Sequence, residues 1–251
     1  MTVEPEVRTE RDGRVGVITL NRPNKLNAYT PDMGDELVDA FRTFAAEPDV
    51  DAILLTGNGR AFCVGADRAF LSGERGRNGL LIGEEHFIDG FVSELFAIDT
   101  PIIAAVNGPA VGIGATMLLA LDMRIASVSA NFGFPFAKLG LMPGMGSTAL
   151  LPAIVGLSRA KDILLSGATL TSVQALEAGL VSRIYDDAEL QDAALELAYM
   201  VANNDGPAMV ASKRVLSGQL APALEKAIKG EQREARKLAH SRAAQISSLT
   251  K

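Results

Sequence analysis

Two short glycine turns in this sequence have the makings of an anion-binding site. One is FCVGAD (62–67) and the other is NGPAVGIG (107–114). A glycine loop entering a helix leaves free backbone N–H groups, and the helix dipole favours negative charge there. Two such amides aimed at one point form an oxyanion hole, which stabilises charge developing on a carbonyl oxygen. The alternative is structural: a tight turn needs glycine for steric reasons alone. A third segment, NFGFPFAKLGLMPGMGST (131–148), has two more glycine turns and a lysine but no carboxylate. If it lines a site, the acid or base comes from elsewhere.

Other chemistries fail on spacing. Gly112-Ile113-Gly114 is a G-x-G at a strand-to-helix junction, but a dinucleotide fingerprint needs a third glycine where Met117 stands. Gly144-Met145-Gly146-Ser147 has no lysine before the serine, so it is no phosphate-cradling loop. No Cys/His cluster has metal-ligand spacing. The two histidines, His86 and His240, fall on polar helix faces and read as surface or interface positions. The lone cysteine, Cys63, has no evident base beside it and reads as buried packing. Asp67 and Asp122, at loop and helix ends, read as structural.

Composition sets the class. The 251 residues suit one large domain or a core with a small appendage. A hydrophobic fraction of 48% against 22% charged is that of a globular chain. A net charge of -6 argues against nucleic acid and anionic membranes as partners. A single cysteine allows no internal disulfide and fits a reducing cytoplasm. The charged start, MTVEPEVRTERDGR, does not read as a signal peptide. Thr100 to Leu121 carries no charge, yet Asn107, Gly108, Pro109, Gly112 and Gly114 break it at its centre. It reads as buried strand, tight loop and buried helix rather than a membrane span.

The elements that must position these turns follow from periodicity. VGVITL (15–20), DAILLT (51–56), 101–106 and 123–126 read as strands. Thr30-Pro31 caps and starts a helix that runs to about Ala46. Residues 80–98 read as one helix with Ile88, Phe91, Val92 and Leu95 on its apolar face. Further helices follow at 115–121 and 147–154. From Ser158 the chain becomes helical, ending in a long helix from Pro222 to Ile246 with a narrow apolar stripe that needs a partner. Strand, glycine loop, buried helix and strand recur, which predicts a mostly parallel α/β arrangement with binding loops at strand ends.

Five segments carry a family resemblance: NRPNKLNAY (21–29), AFCVGAD (61–67), AAVNGPAVGIGATMLLALD (104–122), PFAKLGLMPGMGST (135–148) and LSGATLTSVQALEAGLVSRI (165–184). Together and in this order they resemble the crotonase (enoyl-CoA hydratase/isomerase) superfamily. NGPAVGI with PFAKLG is more similar to the peroxisomal-type Δ3,Δ2-enoyl-CoA isomerase branch than to the hydratases. The resemblance implies a crotonase-like α/β spiral of ββα units over residues 1–195. It also implies a helical C-terminal oligomerisation region at 196–251 that builds a homotrimer or a hexamer of paired trimers. It implies an acyl-CoA thioester as ligand, with coenzyme A arriving as part of the substrate and no other cofactor. The thioester oxygen would sit between the N–H groups of Ala66 and Ile113. Lys25, Leu26 and Ala28, with the turn Gly65, Asp67 and Arg68, would hold the nucleotide end. Lys25 and Arg68 are the expected phosphate partners, and solvated surface charge is the alternative. Gly112, Thr116, Phe136 and Gly144 occupy the family's remaining site positions.

This sequence departs from the family pattern where it matters most. Hydration needs a base to activate water and an acid to protonate the α-carbon, hence paired carboxylates. The two hydratase positions hold Thr116 and Phe136. The carboxylate position of the isomerase branch holds Gly144. Ile113 stands where glycine is usual and narrows the pocket while keeping its amide. A replacement base is sought on the 80–98 segment, where Glu84 projects onto the apolar face, Glu85 lies at its edge and His86 falls on the polar side. A carboxylate on an apolar face has a raised pKa, as a base or acid requires. Helix N-terminal acids favoured by the dipole are the alternative reading. Two functions are therefore expected: an enoyl-CoA isomerase with ordinary hydratase activity absent, or a non-catalytic acyl-CoA binding or carrier protein.

Overall fold

The computed structural model describes residues 4–249, with side-chain environments as far as Ser241. Six strands form the main sheet: β1 (Val7–Asp12), β2 (Val15–Leu20), β3 (Ala52–Gly57), β4 (Ile102–Val106), β6 (Met123–Ser127) and β9 (Arg183–Tyr185), in the order β1-β2-β3-β4-β6-β9. β1 is antiparallel to β2 and every later pairing is parallel. A smaller sheet, β5 (Ala110–Val111), β7 (Asn131–Gly133) and β8 (Thr169–Thr171), lies in the order β5-β7-β8. β3 and β4 are apolar almost throughout because both faces of the main sheet are covered.

The helices are α1 (Pro31–Ala46), α2 (Arg68–Leu71), α3 (His86–Asp89), α4 (Phe91–Ala97), α5 (Ile113–Thr116), α6 (Phe136–Leu139), α7 (Ser147–Val155), α8 (Leu157–Ser166), α9 (Ser172–Glu177), α10 (Leu190–Ala202) and α11 (Gly206–Leu249). Strand alternation sorts them into two layers. Val15, Val17, Ala52, Leu54, Ile103 and Ala105 face α10. Ile18, Leu20, Ile53, Leu55, Ile102 and Ala104 face the larger core that contains α1, α4 and α7. α1 starts and stops where the sequence places it: the Thr30 hydroxyl accepts from Met33 N and Pro31 opens the helix.

Two expectations need correction. Residues 80–98 are not one helix. The chain turns as far as Glu85, α3 follows, and Gly90 at φ -145° and ψ -25° separates it from α4. Glycines at 83 and 90 break a pattern that apolar spacing alone makes helical, and Gly83 has φ +91°. The C-terminal helix begins at Gly206 and runs through Pro222. Proline removes a helical hydrogen bond there, yet contacts on both sides hold the helix. Lys213 pairs with Asp122 at 2.7 Å before it, and Glu231 is anchored after it. α10 spans Leu190–Ala202, and its buried face covers the main sheet. Among the described residues no helix is long and apolar enough to cross a membrane.

Glu231 fixes α11 to the core. Its side chain is 4% exposed and accepts from Gly146 N (2.8 Å), Thr148 N (2.8 Å) and the Thr148 hydroxyl (2.6 Å). A carboxylate at this place caps α7 and matches its dipole. Replacing it leaves three donors without their acceptor. Glu231→Ala is expected to lower unfolding free energy by about 1–3 kcal/mol in urea denaturation. An unchanged denaturation midpoint would remove the anchoring role.

Candidate functional site

The two glycine turns lie back to back. Cys63 and Ala110 form a parallel bridge in which Cys63 N donates to Pro109 O (3.0 Å) and Val111 N donates to Cys63 O (2.8 Å). Gly65 then turns at φ +98° and Gly112 at φ +57°. A Cβ on Gly65 would come within 3.2 Å of Val111 O, and one on Gly112 within 3.8 Å of Gly65 Cα. Positive φ selects glycine at both positions, and at Gly65 the close approach to Val111 O adds to it. The residues that follow are Ala66 and Ile113. Ile113 opens α5, so its N–H has no acceptor one turn back. Among the described residues, neither the Ala66 nor the Ile113 N–H donates to a protein acceptor.

Both amide-bearing residues line one cavity of about 430 Å³, together with Gly65, Gly112, Thr116, Phe136 and Gly144. Ile82, Gly83 and Ile88 form another part of its wall, and Ala235 of α11 closes it. Thr116 is the one lining residue, among those described, whose side chain carries a hydroxyl, amide or charge. Its hydroxyl is turned inward on Ile113 O (3.3 Å) and Met145 Sδ (3.7 Å). A Cβ at Gly144 would meet no heavy atom within 4 Å, so nothing in the packing at that point demands glycine. The cavity is an apolar slot bordered by two amide donors, with no carboxylate on its walls among the described residues.

The loop from Asn21 to Thr30 braces the first turn. Tyr29 N donates to Gly65 O (2.8 Å), Asp67 N donates to Tyr29 O (2.8 Å) and Val64 N donates to Leu26 O (3.3 Å). Leu26 and Asn27 both sit at φ +53°. Left-handed non-glycine residues cost about 1–3 kcal/mol each and need surrounding structure to hold them. The Asn27 side chain supplies it: Nδ2 donates to Asn58 O (3.0 Å) and Ala61 O (2.8 Å), while Oδ1 accepts from Arg22 N (2.8 Å). Arg22 pairs with Asp67 (3.0 Å) and Glu6 (3.1 Å) and donates to Ala28 O. Asp67 also caps α2 by accepting from Ala69 N at 3.1 Å. Partial burial raises the Asp67 carboxyl, but the bonds from Ala69 and Arg22 outweigh it, and the group sits below the usual carboxylate range. Lys25 and Arg68 are exposed on this rim.

With this geometry in place, comparison with known proteins is decisive. The enoyl-CoA hydratase/isomerase family profile matches residues 10–251. The chain belongs to this family. It is 34% identical to a probable enoyl-CoA hydratase of Mycobacterium bovis over 93% of this chain and 89% of that protein. It is 38% identical to the 1,2-epoxyphenylacetyl-CoA isomerase of Escherichia coli over 75% and 72% of the two chains. Among solved structures it is similar to a carnitinyl-CoA dehydratase from Mycobacterium avium, with TM-score 0.86, 34% identity and coverage of 96% and 94%.

Within this family frame the sequence-predicted residues divide cleanly. Gly65, Ala66, Gly112, Ile113, Thr116, Phe136 and Gly144 converge on the cavity. Lys25, Leu26, Ala28, Asp67 and Arg68 gather on the loop beside it, where the Asp67 carboxylate is engaged in capping and an ion pair. Glu84 does not reach the cavity. Its side chain is 52% exposed, accepts from Leu81 N at 2.9 Å and lies 3.8 Å from Arg75. The turn through Gly83 rotates it outward and its neighbour inward, so Glu85 is the buried carboxylate. His86 pairs with Glu94 on the surface and His240 rests on Arg236 O along α11. Sequence reasoning missed Arg22, Asn27 and Glu231, whose partners lie far along the chain. The polar run NRPNKLN (21–27) was the available signal for the first two.

Cys63 is fully buried, and burial pushes its thiol up to about 12. It is expected to resist a thiol-directed disulfide reagent in the folded protein and to react after denaturation; rapid native-state labelling would contradict this burial. Glu84→Gln is expected to change acyl-CoA affinity by less than about twofold in a calorimetric titration, as for other exposed charges. A larger loss would return Glu84 to the site.

Proposed function

We propose that the protein binds an enoyl-CoA with the thioester oxygen between the Ala66 and Ile113 amides. It then shifts the double bond through the enolate so stabilised: a proton leaves C2 of the 3-enoyl-CoA for a base outside the cavity lining and a proton is returned at C4. One observation carries this reading: two donors without protein acceptors border the same apolar cavity. Amides fixed in place by the fold stabilise developing oxyanion charge without reorganising. Bond migration asks less of the walls than hydration, which needs both a water-activating base and an acid. Coenzyme A enters as part of the substrate, and no other cofactor takes part. Its phosphates lie toward Lys25 and Arg68, and Leu26 and Ala28 pack beside the nucleotide. Residues 196–251 mediate assembly into a trimer or a hexamer, and the free thiol suits a cytoplasmic setting.

A second reading has its own observation. The cavity lining holds no carboxylate among the described residues. A non-catalytic acyl-CoA carrier would have this lining, with Thr116, Phe136 and Gly144 marking lost chemistry.

The deciding experiment incubates the purified protein with 3-enoyl-CoA and 2-enoyl-CoA and separates products by chromatography and mass spectrometry. Bond migration without water addition is the expected outcome. A hydrated product would refute the isomerase reading, and tight binding without turnover would establish the carrier. Ile113→Pro tests the amide itself, because proline at a first helical position removes the N–H with little harm to the helix. It is expected to lower kcat by about 10²–10³-fold, as for loss of one oxyanion donor. Undiminished turnover would exclude the Ile113 amide.

A further inference from the structure

We infer that the buried pair Glu85–Tyr29 is a positioning device that ties the wall of the acyl cavity to the Ala66 amide. The inference rests on the oxyanion reading above. Both side chains are 0% exposed, and the Tyr29 hydroxyl donates to Glu85 at 2.7 Å. The second carboxyl oxygen of Glu85 accepts from Gly83 N at 2.6 Å. Gly83 and Ile82 belong to the cavity wall. On the other side, the Tyr29 backbone donates to Gly65 O and accepts from Asp67 N, both at 2.8 Å. These two bonds bracket Ala66 and leave its own N–H unused. A continuous path of hydrogen bonds and one side chain therefore runs from wall to amide.

The surroundings are shaped for this pair. Tyr29 stacks on Phe87 with centroids 5.8 Å apart, and Phe87 stacks on Phe91 at 5.9 Å. Gly34 vacates the space of the hydroxyl: a Cβ there would lie 2.1 Å from Tyr29 Oη. Burying a carboxyl and a phenol together is poor value for stability, since apolar groups of the same volume often serve as well. What the polar pair adds is a defined geometry between two segments that do not otherwise share secondary structure. Glu85 and Tyr29 reach no lining position themselves, so they act through Gly83 and Ala66 rather than on a ligand.

The test uses a push–pull cinnamoyl-CoA whose absorption moves to the red when its carbonyl is polarised. It is added to the full-length wild-type protein and to Tyr29→Phe and Glu85→Gln, with melting curves to establish folding. The wild-type protein should shift the band. Each folded variant should bind within about threefold of wild-type affinity while losing at least about half of the shift, because misplaced oxyanion donors polarise weakly. A simple loss of packing would weaken binding and leave the shift of the bound fraction intact, and that outcome would overturn the inference. A full shift in both folded variants would also overturn it while leaving the oxyanion reading in place. No shift with the wild-type protein would overturn both. If one variant does not fold, amide hydrogen exchange on the other decides. Faster exchange at both Gly83 and the 64–67 turn is expected, and unchanged protection at either would refute the link.

Discussion

A backbone N–H without a protein acceptor is tolerated where water or a ligand can reach it, and this fold keeps two such groups side by side. The rest of the structure serves that condition. The bridge between Cys63 and Ala110 aligns the two turns, and left-handed glycines at 65 and 112 let them touch. The parallel sheet brings β3 and β4 into register so that the loops leaving them start from adjacent points. The strained pair Leu26 and Asn27 carries the bracing loop past the first turn. Remove the requirement for free amides and most of these local irregularities lose their reason.

The walls around the amides are chemically quiet. By resemblance, the two carboxylate positions of the family's hydratases hold Thr116 and Phe136 here and that of the isomerase branch holds Gly144, and Thr116 turns its hydroxyl back on the protein. A slot of this kind polarises a carbonyl but offers little to move a proton. Carboxylates do stand just behind the walls. Glu85 is engaged with Tyr29, and Glu231 with the start of α7. Burial raises the Glu85 carboxyl, with the Tyr29 hydrogen bond working against that shift. Both carboxylates are committed to geometry rather than exposed to the cavity.

Much of this was legible in the chain because local chemistry dictated it. Thr30-Pro31 set the start of α1, continuous apolar runs marked buried strands, and glycine spacing marked the turns. The cavity residues followed from motif position, and seven of them converge in space. The failures share one physical origin. A helical period over residues 80–98 counts apolar positions and ignores the backbone freedom of Gly83 and Gly90, so it put Glu84 inside and Glu85 at an edge. The true orientation follows from the turn. Arg22, Asn27 and Glu231 act across separations of many residues, and no local pattern encodes such partners. Pro222 gave a misleading helix start because distant anchors outweigh a single lost hydrogen bond.

The placement of Ala235 has a consequence for how such a protein diversifies. It lines the cavity one helical turn beyond Glu231, the anchor of α11. The stretch of wall that Ala235 supplies therefore moves with the docking of the C-terminal helix. Sliding or re-angling α11 would reshape that side of the compartment, and neither glycine turn belongs to this helix. The stretch of wall at Ala235 and the glycine turns are thus set by separate parts of the chain, and a lineage can retune the first without disturbing the second.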